Sequence, residues 1–137
     1  YRGHKEVVVL LLDHGADVSA KDTLGWTSMH FGAARGSEGV VRLLLYRNAD
    51  VSASTNHGGT PLHVAAMEGY ATVSRLLLAN GADLQSKSQG GSTPEDIANA
   101  HSHPQIVAML QAEAERREAV RRAQSVAFSM GHHERPG

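Results

Sequence analysis

The chain predicts an all-α repeat solenoid with a C-terminal helical extension, and three observations carry that expectation. The triplet LLL falls at 10–12, 43–45 and 76–78, a spacing of 33 residues each time. Other positions obey the same offset. GAD at 15–17 returns as NAD at 48–50 and GAD at 81–83, Thr27 as Thr60 and Thr93, His30 as His63, Gly36 as Gly69, and Gly25 as Gly58 and Gly91. Each period also holds two helical signatures split by a glycine, both too short to persist alone in water. Self-similarity at such a period marks stacked supersecondary units that stabilise one another.

Four units and a tail follow: an incomplete unit at 1–21, full units at 22–54 and 55–87, a drifting unit at 88–112, and a charged tail at 113–137. The third unit shows the logic most clearly. Thr60 is placed to cap a helix, because its hydroxyl can accept an orphan N–H of the first turn. Pro61 suits the first helical position, where a missing N–H costs nothing. His63, three residues past the cap, can reach back toward the loop. Ala65 and Ala66 are small enough to admit a neighbouring helix, and Gly69 ends the segment. A second helix is expected over about 71–80, with Val73, Leu76 and Leu77 on one buried stripe. Gly81 ends it in the left-handed conformation glycine adopts without strain, and Asn48 stands at the same slot one unit earlier. The polar stretch 83–92 suits an extended loop with a tight turn at Gly90–Gly91.

The first unit retains only its second half, so Val7, Val8 and Leu11 are expected to expose a face that normally buries, as in a piece cut from a longer array. In the fourth unit Glu95 and Asp96 replace Leu62 and His63, a polar change suited to a terminal cap. Pro104 can open the last helix, which can run on through QAEAERREAVRRAQSVAF with Ile106, Leu110, Ala114, Val120 and Phe128 on a loose stripe. SMGHHERPG is expected to be disordered.

Composition narrows the function. Apolar residues make up 41% and aromatics 4%, which fits a core of Leu, Val and Ala. Thirteen basic against 14 acidic residues argue against a general nucleic-acid binder. There is no cysteine, hence no disulfide framework and no thiolate metal site. The longest apolar run, Val7 to Leu12, is far short of the roughly 20 residues that span a bilayer. No secretory signal opens the chain. An intracellular setting, cytoplasmic or nuclear, is expected.

The residues just described resemble the ankyrin-repeat family over about 1–112. The resemblance rests on GHKEVVVLLLDHGADVSAK in the first unit, GWTSMHFGAARGSEGVVRLLLYRNADVSAS in the second, GGTPLHVAAMEGYATVSRLLLANGADLQSK in the third and GGSTPEDIANA in the fourth. It implies an L-shaped stack of helix pairs with hairpin-like loops projecting at right angles. It also implies protein binding through the loop tips and the inner face of the first helices. Ser28 stands where the family has Pro, Met29 where it has Leu, and Gly32 where Ala65 stands, a change that weakens that helix by up to about 1 kcal/mol. The Asn that is hydroxylated in some members is replaced by Ser19, Ser52 and Gln85, so that modification is not expected.

Nine histidines invite a metal or catalytic reading. His30 and His63 share one repeat slot beside a capping threonine, so both are expected to brace loops. His101 and His103, and His132 and His133, lack the spacing of a zinc ligand set. GGT at 58–60 is a turn rather than a phosphate loop, and no nucleophile, base and orienting acid can be placed together. No enzyme, cofactor or metal is therefore expected. The arginine-rich RREAVRR at 116–122, near Glu113, Glu115 and Glu118, reads first as a self-paired solvated face, and second as a site for an acidic partner.

Repeat geometry places the candidate binding residues. Lys21, Thr23, Leu24 and Trp26, then Asn56 and His57, then Gln89, fall at loop tips. Ala34 and Arg35, Met67 and Glu68, and Ala100 and His101 fall at the ends of the first helices. Trp26 occupies a slot held by Gly59 and Ser92 in later units, so it either anchors a partner or covers its own hairpin. Trp and Arg are enriched among binding hot spots, which makes Trp26 and Arg35 the leading candidates. The expected function is a monomeric, non-enzymatic module for a protein partner, with no role at nucleic acid or membrane. The alternative is an architectural spacer within a longer array.

Overall fold

The computed structural model describes residues 17–133. The first leucine triplet and the expected exposure of Val7, Val8 and Leu11 lie outside that range. Six helices and no strand are present among the described residues: α1 Ser28–Arg35, α2 Glu38–Tyr46, α3 Pro61–Glu68, α4 Ala71–Ala79, α5 Pro94–Ala100 and α6 Pro104–His133. They pair as α1 with α2, α3 with α4, and α5 with α6. The first members line up as an inner layer (α1, α3, α5) and the second members as an outer layer (α2, α4, α6). The architecture is an all-helical repeat solenoid.

Local chemistry sets each inner helix. Thr27, Thr60 and Thr93 each cap a helix and accept the N–H three residues on, and the side chain at that third position returns a bond to the threonine N–H. This reciprocal box satisfies two orphan donors at once. It survives the exchange of Pro for Ser28 in α1, because the cap and not the proline makes those bonds. Gly69 ends α3 with φ 81°, and a Cβ there would lie 2.5 Å from the His103 ring. Two requirements thus meet at one residue: a left-handed backbone and room for the next unit to sit against it. Gly32 has a comparable excuse, since an added Cβ would stand 3.2 Å from Val41 Cγ2.

The outer helices form the seam. Val40, Val73 and Ile106 occupy one repeat slot, Leu44, Leu77 and Leu110 another, and all six are buried. The expected stripe on α4 needs one correction. Leu76 is only half-buried, while Ser74 and Leu78 are buried beside Val73 and Leu77. An outer helix is covered on two flanks, by its own partner and by the next outer helix, so its buried arc is wider than a three-residue stripe. Ser74 tolerates this because its hydroxyl donates to the Tyr70 carbonyl at 2.9 Å.

Asn48 and Gly81 both stand in the left-handed region, at φ 62° and 87°, immediately beyond α2 and α4. Slot 114 holds Ala instead, and α6 does not stop there. It runs to His133, 30 residues in all. The segment Ser129–His133 is therefore helical, where disorder was expected; 134–137 lie outside the described residues. Ile106 and Leu110 face the core, Ala114 is half-buried, and Val120 and Phe128 are exposed. The stripe ends where the helix leaves the stack. Arg117 fastens the junction, donating to the carbonyls of Leu78 at 3.1 Å and Ala82 at 2.8 Å. Cations at a helix C-terminus satisfy its last carbonyls and oppose its dipole.

Histidines tie each inner helix to the following loop. The Thr27 N–H donates to Nδ1 of His30 at 3.1 Å, so the ring proton sits on Nε2, which donates to the Gly59 carbonyl at 2.9 Å. His63 repeats this with Thr60 and with the Ser92 carbonyl at 2.8 Å. Loop bracing is what both residues do. Burial pushes the pKa of His30 below 6.5, opposed by the Gly59 carbonyl, with Lys21 adding to the depression.

Two outcomes are expected. Leu77→Ala deletes a fully buried side chain from the middle of the seam and should lower unfolding free energy by about 2–5 kcal/mol, measured by urea denaturation; a loss near zero would mean the seam is not where stability resides. The unfolded chain protonates His30 near its ordinary pKa, whereas the folded chain protonates it only at lower pH. The stability His30 contributes is thus complete above pH 6.5 and declines as pH falls below it. A His30→Gln variant should show a shallower loss of urea midpoint than the parent between neutral and mildly acidic pH, and identical slopes would refute the assignment.

Candidate functional site

The loops that precede α1, α3 and α5 are built alike. In each, an N–H at the start bonds the carbonyl four residues on: Asp22 to Trp26, Thr55 to Gly59, and Ser88 to Ser92. Adjacent loops then join at their tips, where the Asn56 N–H donates to the Leu24 carbonyl at 2.9 Å and the Gln89 N–H to the His57 carbonyl at 2.7 Å. Side chains reinforce both rungs. Asn56 Nδ2 donates to the Thr23 carbonyl, His57 Nδ1 pairs with Gln89 Oε1 at 2.7 Å, and Lys21 Nζ donates to the Ser54 carbonyl. The linkers entering these loops are held by Asp17, Asp50 and Asp83, each accepting the N–H two residues on. Three separate loops become one continuous edge.

The structure thus brings Lys21, Thr23, Leu24, Asn56, His57 and Gln89 into one row. Thr23, Asn56, Gln89 and Lys21 spend polar groups on holding it. Leu24 projects its side chain and is 55% exposed. Arg35, Glu68 and His101 occupy one repeat slot at the ends of α1, α3 and α5, and all three are exposed. Arg35 and Glu68 form no ion pair among the described residues. Ala34 is half-buried, while Met67 and Ala100 are exposed.

Trp26 links the two sets. It is half-buried at the base of the first loop, with its ring 5.4 Å from that of His30 and 5.1 Å from that of Phe31. It therefore does cover its own hairpin, yet keeps part of its surface in water. Phe31 was not among the expected site residues. It is 46% exposed, whereas Val64 at the same slot of α3 is 6% exposed. The signal was present: Phe31 lies three and four residues before Ala34 and Arg35, on the same helical face. Trp26 and Phe31 give α1 an apolar pair, with Arg35 one turn beyond Phe31 on the same helix, and Leu24 exposes a further apolar side chain on the loop before it.

Other candidates resolve differently. No cluster of three or more metal-ligating side chains occurs among the described residues. His103 instead bonds the Met67 carbonyl at 3.0 Å, sealing α5 and α6 against α3. The arginine-rich run is self-paired. Glu113 receives Arg116 at 2.6 Å and Arg117 at 2.7 Å, and Glu118 receives Arg121 and Arg122. The bond from Arg116, against the opposing push of burial and with Arg117 adding, holds the Glu113 carboxyl down to about 2. No helix among the described residues is long and apolar enough to cross a membrane.

Family models agree with this architecture. A model of ankyrin repeats in many copies matches residues 1–45, and one of ankyrin repeats in three copies matches residues 50–119. No curated protein matches the chain. Ankyrin repeats are generally non-enzymatic modules for protein–protein interaction. The capped helix pairs, the loops joined edge to edge and the two matches together establish that this chain belongs to the ankyrin-repeat family.

Proposed function

We propose that this chain is a monomeric protein-interaction module that binds a partner polypeptide across its loop tips and the exposed ends of its inner helices. The observation that carries the reading is the Trp26–Phe31 pair, with Phe31 exposed, on the helix that also carries Arg35, next to a prebuilt loop edge that exposes Leu24. Because the loops already bond one another, little ordering entropy remains to be lost on binding. Trp26 and Phe31 supply desolvatable area, and Arg35 supplies a charge that can select an acidic group on the partner. Met67 and Glu68 continue the surface along the stack, and His57, Gln89 and His101 complete its polar rim.

Affinity capture with the whole chain identifies the partner. A photo-crosslinking residue is then placed at Leu24 or Met67, and as a control at Tyr46 on the outer layer. Crosslinks from the two inner positions are expected. Trp26→Ala combined with Arg35→Ala should weaken binding by about 2 kcal/mol or more, a hot-spot magnitude, while the variant keeps the helical circular dichroism spectrum of the parent at the temperature of the binding measurement. Unaltered affinity in the double variant, or crosslinks from Tyr46 alone, would rule the surface out. Absence of any specific partner would leave the chain as an architectural spacer.

A further inference from the structure

The outer layer carries a second feature, independent of the loop edge. A groove of about 290 Å³ lies between α4 and α6, floored by Leu78, Ala79, Met109 and Ala112 and edged by Arg75 and Arg116. Its origin is legible in the repeat register. Tyr46 stands on α2 at the slot that Ala79 fills on α4 and Ala112 on α6. The bulky ring is 82% exposed, and the two alanines that replace it leave an opening between their helices.

The charge around this opening is uneven. Arg75 is exposed and has no hydrogen bond or ion pair among the described residues. Glu113 is the carboxylate lining the groove, but Arg116 and Arg117 already share it. Among the lining residues one carboxylate stands against two guanidinia, which leaves a net positive rim over an apolar floor, with Arg75 unopposed. The backbones of both helices are bonded internally, so an occupant must bind through side chains.

We propose that the α4–α6 groove binds an acidic segment of a partner polypeptide, seating one large apolar side chain on Leu78, Ala79, Met109 and Ala112 and placing flanking carboxylates against Arg75 and Arg116. The small alanines admit the apolar group, and the two guanidinia on opposite edges select its neighbours. Arginine favours this role because its planar fork can hold a carboxylate through two parallel bonds.

The test uses the whole chain, ¹⁵N-labelled, titrated with the peptide Asp-Glu-Phe-Glu-Asp at low salt. Two control peptides accompany it, Lys-Lys-Phe-Lys-Lys and Asp-Glu-Gly-Glu-Asp. Saturable amide shifts confined to Arg75, Leu78, Ala79, Met109, Ala112 and Arg116 are expected with the first peptide, and weaker or absent shifts with the controls. Arg75→Glu, an exposed change that leaves the fold intact by circular dichroism, together with Arg116→Gln should lower affinity about tenfold, as expected for loss of two solvent-exposed charge contacts. Shifts that map to Leu24, Trp26, Arg35 or the loop tips would overturn the proposal. So would no saturable shift, equal binding of the lysine peptide, or affinity unchanged in the folded double variant.

Discussion

Helices of seven to nine residues, as α1 to α5 are, do not form in isolation, because nucleation costs more than two turns of hydrogen bonds return. Everything in this chain therefore rests on burial between neighbours. Each outer helix shares Val40, Val73 or Ile106, and Leu44, Leu77 or Leu110, with the helices beside it. Removing one unit would strip a flank from the next. The seam is cooperative along one axis, as nearest-neighbour coupling in stacked repeats requires.

Polar groups set the spacing of that stack. An imidazole at the third position of α1 and α3 is buried with every ring nitrogen bonded, one to its own cap and one to the loop of the following unit. A buried donor left unpaired would cost about 1–3 kcal/mol, so each histidine fixes where the next loop must lie. Asp96 takes over the capping half of this role in α5 and lacks the reach for the other half. Tyr70 and His103 reinforce the register by sitting directly over Gly36 and Gly69, where any Cβ would intrude.

The same devices prepare the surfaces. The loop edge is rigid because its tips exchange backbone bonds across units, and the polar residues there hold position more than they advertise a partner. The surfaces proposed for recognition differ in what is left over: apolar area at Leu24, Trp26 and Phe31 with Arg35 on the inner side, and on the outer side Arg75, which has no ion pair among the described residues, beside an Arg116 already shared with Glu113. The distal part of α6 is held by ion pairs between Glu118 and its two arginines, one turn further along. Exposed pairs of this kind contribute a few tenths of a kcal/mol each.

Much of the architecture was determined by the sequence alone. The 33-residue offset, the Thr caps, the glycine and asparagine stops and the paired histidines are local features, decided within a few residues of one another, so propensity and hydrogen-bond chemistry suffice to read them. That α6 does not stop near 114 follows from Ala114 standing where Gly81 and Asn48 end their helices, although its run to His133 goes past the Phe128 that the sequence pattern supports. Tertiary structure decided the rest. Leu78 is buried and Leu76 is not, because a second outer helix covers one flank of α4. Arg117 bonds carbonyls 35 and 39 residues away, a pairing that no local pattern encodes. Trp26 meets Phe31, and Ala79 meets Ala112 across a groove, only once successive units lie side by side. Period and cap are properties of a short segment. Which face is covered and which charge goes unpaired depend on what the neighbouring unit brings, and that is settled by packing.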